Sequence, residues 1–158
     1  MISTEYSISG EILVWDLAEH VRKCSSGPTK DVGLTPLIRL RYPNHNVKYL
    51  NLGFSNGMLG VGDDQGSLVL YNLEEVLKRK ADDDEQENIW EASLMLEWPN
   101  IVNNQDILPK TELVVNTVAI SSSHEFITGG TDNNLVCIWK RDSQSTSGST
   151  SSAINLSD

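Results

Sequence analysis

The sequence predicts an all-β chain of short antiparallel strands, grouped in about three consecutive sheets with the first and last incomplete. Three observations carry that reading. First, residues 113–139 hold three short apolar runs, at 113–120, 126–128 and 135–139, separated by polar segments. Within them Val118 and Ile120, and Leu135, Cys137 and Trp139, alternate with their neighbours. That period of two sets one face of a strand against a core. Second, Gly129, Gly130, Thr131, Asp132, Asn133 and Asn134 form a turn segment tolerant of positive φ, which returns the chain directly into the next strand. Third, the chain repeats itself. Ile38, Leu40, Tyr42, Pro43 and Asn44 match Leu94, Leu96, Trp98, Pro99 and Asn100 at an offset of 56 residues, and Trp15 to Tyr71 is also 56. Tyr71 to Trp139 is 68, so the last copy carries 12 more residues.

Taken in order, residues 2–6 and 10–17 read as two strands, the second ending in Trp15-Asp16 after a Gly10 turn. The strand that would precede them is missing, so the chain is expected to begin partway through a sheet. Residues 18–36 are a loop; 18–24 suit a turn or two of helix, which Ser25, Ser26, Gly27 and Pro28 stop. Strands follow at 37–42, 49–54, 58–61 and 67–71, with turns at Ser55-Asn56-Gly57 and Asp64-Gln65-Gly66. Residues 73–80 are good helix formers, and Asn72 is placed to cap them. An acidic loop at 81–91, a strand at 94–98 and a loop at 101–112 lead into the opening stretch. The domain reading is therefore a repeat region, 1–140, punctuated by loops near 17–36, 74–91 and 99–112, and a tail. The tail, 141–158, is rich in Ser and Thr with little to bury and is expected to be disordered.

Residues 113–139 resemble one WD40 repeat, whose consensus runs roughly V-A-F-S-P-D-G-x-x-L-A-T-G-S-x-D-G-x-V-x-[IL]-W-D, and the resemblance extends over about 2–140. It implies a partial WD40-type β-propeller of about three consecutive four-stranded blades, each with strands a to d from the inside outwards. Closed propellers have ~4–8 blades, so the resemblance also implies upstream blades in a longer chain. It further implies that the last blade takes its outer strand from the N-terminal side. The repeat is commonly pinned by a His, a Ser or Thr, an Asp and a Trp. The Trp position holds Trp15, Tyr71 and Trp139; the His position holds His45 and Thr111; the Asp position, six residues before the aromatic, holds Ser9, Gln65 and Asn133. No copy has the full set, so Trp15, His45, Tyr71 and Trp139 are read as structural residues in blades held mainly by packing. Residues 61–73 resemble blades of dynein intermediate chains, and similar stretches occur in chromatin-associated WD-repeat proteins.

The net charge of −10 argues against a nucleic-acid backbone or an anionic membrane as principal partner. No run approaches a membrane span, and the first five residues carry neither a basic nor an apolar signal region. Cys24 and Cys137 make no disulfide framework, which fits a reducing compartment, cytoplasm or nucleus. His20 and Cys24 share helical i, i+4 spacing, but two ligands do not close a zinc site. Asp63, Asp64 and Asp132 occupy turns where Asp bonds locally. No nucleophile–base order, phosphate loop or HExxH motif is present. The expectation is no catalytic residue, no metal and no cofactor, hence no enzyme.

The resemblance instead implies a scaffold for other proteins of a multi-subunit complex, or, as the alternative, a reader of basic or modified peptides such as histone tails. Loops 18–36 and 74–91 both join strands c and d, so they should lie side by side on one face. They place Arg22, Lys23 and Lys30 beside Asp82, Asp83, Asp84 and Glu85 as candidate partner-binding residues, with a smaller site at 101–112 opposite.

Overall fold

The computed structural model describes residues 2–4, 10–18, 21–22, 35–42, 51–82, 89–99 and 113–142. In chain order its strands are β1 (Ile2–Thr4), β2 (Glu11–Val14), β3 (Ile38–Arg41), β4 (Gly53–Ser55), β5 (Met58–Gly62), β6 (Ser67–Asn72), β7 (Ile89–Trp90), β8 (Leu94–Glu97), β9 (Val115–Ile120), β10 (Phe126–Thr131) and β11 (Val136–Lys140). One helix, Leu73–Asp82, follows β6. No helix among the described residues is long and apolar enough to cross a membrane. The three sheets have the orders β1-β2-β3-β7, β4-β5-β6-β8 and β11-β10-β9, which is the arrangement of partial WD40-type blades. The chain forms two compact units, Met1–Asn44 with Val76–Ala92, and His45–Glu75 with Ser93–Asp158.

The first unit holds one sheet. β2 lies between β1 and β3 in antiparallel register, Val14 opposite Ile2 and Ile38. Ile12, Val14, Ile38 and Leu40 are buried, as their period-two spacing requires. On the opposite face, where Leu13 is also buried, Arg39 lies 3.9 Å from Glu11 across the strand pair. The fourth strand was not legible in the sequence: the two-residue β7, inside the segment read as a loop, pairs parallel to β3. Glu91 then reaches Arg41 at 2.7 Å, and the Lys80 ammonium donates to the Leu37 carbonyl.

The second unit contains two sheets packed face to face. β5 and β6 are buried on both faces, as a continuous apolar run predicts, with Leu59, Val61, Leu68, Val69, Leu70 and Tyr71 all inaccessible or nearly so. The turn between β4 and β5 is two residues long, Asn56 and Gly57, both at positive φ, the geometry that matches strand twist. Close approach of the sheets depends on glycine. A Cβ on Gly62 would lie 2.0 Å from the Val115 carbonyl oxygen, and one on Gly53 2.7 Å from that of Val118. Leu68, Leu70, Trp98, Leu113, Val115, Val118, Cys137 and Trp139 form the core between them.

The helix is capped as expected, with Glu75 N–H donating to Asn72 Oδ1 at 3.2 Å. Glu74 and Glu75 in its first turn and Arg79 and Lys80 in its last complement the helix dipole. It runs two residues further than the composition suggested, so Asp82 ends the helix rather than opening a loop. Leu17, Ala18, Val21 and Arg22 are also helical, where a turn or two was expected.

Candidate functional site

Among the aromatics of the repeat, Tyr71 and Trp139 are buried and Trp15 is half-buried; His45 lies outside the described residues. Trp139 meets Trp98 edge-on, with ring centroids 5.7 Å apart and planes at 83°, a favoured aromatic geometry. Its indole N–H donates to the Glu97 carbonyl at 3.4 Å, not to a hydroxyl of strand b. Among the described residues Trp98 is the largest of the fully buried side chains, and its own Nε1 has no hydrogen-bond partner there. In the sequence it stands out only as the match of Tyr42 in the 56-residue repeat, at the end of the 94–98 strand.

The b–c turns are held by residues eight, not six, positions before the aromatic. Asp63 is only 3% exposed, and its Oδ1 accepts from Gln65 N–H at 2.9 Å and Ser67 N–H at 2.6 Å. Thr131, equally placed before Trp139, accepts from Leu135 N–H at 3.2 Å. Gln65 and Asn133 therefore do not fill that role; a side chain eight residues upstream of the aromatic reaches the turn amides directly. The shared offset of Asp63–Tyr71 and Thr131–Trp139 is the signal that would have found them.

Both ends of the interface between the two sheets are fastened by hydrogen bonds. At one end Val115 N–H donates to the Asp63 carbonyl at 2.8 Å and Asn51 N–H to the Asn116 carbonyl at 2.9 Å. At the other, Asn56 Nδ2 donates to the Ser122 carbonyl at 2.8 Å, and His124 Nε2 to the Ser55 carbonyl at 2.9 Å. His124, at positive φ in the β9–β10 turn, was not singled out by the sequence. That same end carries a cavity of about 470 Å³. Met58, Leu70, Leu94, Leu96, Ile127 and Trp139 supply apolar lining, and Glu74, Glu125, Lys140 and Arg141 supply charge. Lys140 pairs with Glu125 at 3.7 Å, so the rim is partly self-neutralised.

Of the candidate partner-binding residues, Arg22 is exposed, its Nε donating to the Ala18 carbonyl at 3.2 Å. Asp82 is the last helical residue. Lys23, Lys30, Asp83, Asp84 and Glu85 lie outside the described residues, as do His20 and Cys24, all of 101–112 and most of the tail. Cys137 is buried, and burial, only partly offset by the Ile138 backbone hydrogen bond, pushes its thiol from 9.0 to about 11. A thiol held neutral there is a small hydrophobe rather than a nucleophile. Among the described residues no group of three His, Cys, Asp or Glu side chains is placed to hold a metal.

The family model for the WD domain of leucine-rich repeat and WD repeat-containing protein 1 matches residues 1–142. The chain belongs to that family. Its human relative is 30% identical over 148 residues, and the mouse relative 25% identical over 143; each alignment covers 89% of this chain and 21% of the relative. The zebrafish relative is 23% identical over 146 residues, covering 90% and 18%. The chain thus spans about a fifth of the length of the curated relatives it matches. The WD-repeat reading stands, whereas the finer likeness to dynein intermediate chains is not supported: the matches are to leucine-rich repeat and WD repeat-containing protein 1.

Proposed function

We propose that this WD-repeat domain is a non-catalytic scaffold, holding protein partners of a multi-subunit complex on the face formed by its c–d insertions. The observation that carries this is the folding of the second insertion. A plain connector would leave its chain unpaired; here a capped ten-residue helix is followed by β7, paired to β3. Glu74, Glu75, Leu77, Lys78 and Arg79 are exposed along that helix. Lys80 ties it to Leu37, the residue that follows the first insertion. Long connections on a rigid scaffold are where binding function concentrates. The free cysteine, and a family of WD-repeat proteins rather than of secreted disulfide domains, fit an intracellular site of action.

The alternative, a reader of basic or modified peptides, has one observation in its favour: the cavity lined by Trp139, Glu74 and Glu125. Among the described residues Trp139 is the one Phe, Tyr or Trp in its lining, short of a cage, and Lys140 and Arg141 oppose a cationic ligand. The scaffold reading therefore leads. Its test is replacement of Asp82, Asp83, Asp84 and Glu85 by Ser in the full-length protein, with co-purified partners measured at low and high salt. Weaker capture, more so at low salt, with an unchanged melting profile is expected. Undiminished capture after both c–d insertions are shortened would remove the basis for this face.

A further inference from the structure

The cavity between the two sheets of the second unit borders the second insertion. Asn72, which caps the helix, and Glu74, in its first turn, belong to its lining. Its volume of about 470 Å³ falls within the ~300–1,000 Å³ of ordinary binding pockets. Met58, Leu70, Leu96, Ile127 and Trp139 give it apolar walls, and Leu94, in the same lining, is left 52% exposed.

Most of the polar groups in that lining are already engaged. Asn56 and His124 fasten the sheets together, Asn72 Oδ1 holds the helix cap, and Glu125 pairs with Lys140. Two charged side chains remain, Glu74 at the start of the helix and Arg141 directly after β11. Both are exposed, and among the described residues neither side chain has an ion pair or hydrogen bond. Glu74 comes from the second-blade side of the cavity and Arg141 from the third-blade side. An apolar hollow with one unmatched charge of each sign complements an apolar group flanked by a base and an acid. A small molecule fits less well, because its site would set polar groups into the apolar walls, whereas both free charges here are solvent-exposed. A stretch of polypeptide supplies all three groups on one backbone. Its apolar side chain anchors in the pocket, and the charges outside it set the register.

We propose that this cavity is the socket for a linear segment of a protein partner. One leucine- or phenylalanine-sized side chain enters it, a basic residue on one side meets Glu74, and an acidic residue on the other meets Arg141. On the scaffold reading, on which this rests, partners held at that face share such a pattern. The two charges also give the segment a direction. Reversed, it would set acid against Glu74 and base against Arg141, and like charges brought together exclude the wrong order.

The test is titration of the 158-residue chain with three synthetic peptides, followed by nuclear magnetic resonance shifts. One peptide carries Lys, Leu and Asp in that order with Ser between them, the second carries the reverse order, and the third has Ala for Leu. One of the two Leu peptides is expected to bind about tenfold or more tightly than the other two, with shifts centred on Ile127 and Trp139. In the doubly reversed variant, Glu74→Lys with Arg141→Glu, the preference should pass to the other order. Leu94→Asp should weaken both about tenfold, with unshifted β5 resonances showing that each variant is folded. Equal binding of both orders, or a preference that survives the reversal, overturns the proposal. Binding seen only in a chain ending at Asp142 also overturns it, because the socket then belongs to the chain's own tail. Partner capture by the full-length protein separates this from the scaffold itself. Capture lost on replacing Asp82, Asp83, Asp84 and Glu85 by Ser, but kept by Leu94→Asp, overturns the socket and leaves the scaffold standing.

Discussion

Gly62→Ala should separate the two sheets of the second unit, and the structure sets the size of the effect. The added Cβ would sit 2.0 Å from the Val115 carbonyl oxygen and 2.5 Å from Val115 Cγ1. A side-chain tip can swing away, but a backbone carbonyl moves only with its strand. β9 must therefore retreat by more than about 1 Å to restore ordinary contact. Overpacking of that kind costs about 1–3 kcal/mol. The retreat also strains the 2.8 Å bond from Val115 N–H to the Asp63 carbonyl, and its loss adds about 1 kcal/mol. The expected cost is about 2–4 kcal/mol. Urea unfolding followed by tryptophan fluorescence measures it; with m near 2 kcal/mol/M, the midpoint falls by about 1–2 M. Gly129→Ala is the control. Its nearest atoms are side-chain carbons, Trp139 Cζ3 at 3.1 Å and Val115 Cγ1 at 3.2 Å, which can yield by a few tenths of an ångström. The lower entropy of the unfolded alanine chain offsets part of that. If Gly62→Ala proves no more costly than Gly129→Ala, glycine does not set the spacing of these sheets.

Three further outcomes are expected. Trp139→Ala should cost about 3–5 kcal/mol by urea unfolding, because it removes a buried ring stacked edge-on against Trp98; a loss below about 1 kcal/mol would place Trp139 outside the core. Asp63→Ala should cost about 1–3 kcal/mol, since two turn amides lose the carboxylate acceptor supplied by a buried side chain. Asp63→Asn, which keeps an oxygen at that position, should recover most of it, and equal losses for the two would show that the acceptor is not what matters. Cys137 should resist thiol reagents at pH 8 in a Cys24→Ser background, because its thiol is held up at about 11. The unfolded thiol ionises first, near 9.0, so the stability from keeping it neutral is present below pH 9. It is lost as pH rises towards 11. Labelling of the native protein as fast as of the urea-unfolded chain would contradict the burial.

Period-two alternation and the 56-residue internal repeat were enough to locate β2, β3, β5, β6, β8, β9 and β11, because side-chain parity and turn chemistry are local. β4 meets the expected 49–54 strand only at its end, and Gly129, Gly130 and Thr131, read as a turn, continue β10 because they pair with β9. The same holds for the Asn72 cap, which bonds only three residues away. What the tertiary structure decided was whatever depends on a partner distant in sequence. Two residues, Ile89 and Trp90, are too short to show any period, and only pairing with β3 makes them a strand. Gly53 and Gly62 look like ordinary strand glycines until the backbone of β9 arrives against them. Trp98 becomes the centre of a core only when Trp139, 41 residues later, is laid on its edge. Asp63 resembled any turn aspartate, but its Oδ1 caps one turn while its carbonyl receives Val115 from the next blade. A blade declares its own strands through local spacing, whereas the join between blades is a matter of shape and of backbone groups that carry no side-chain signature.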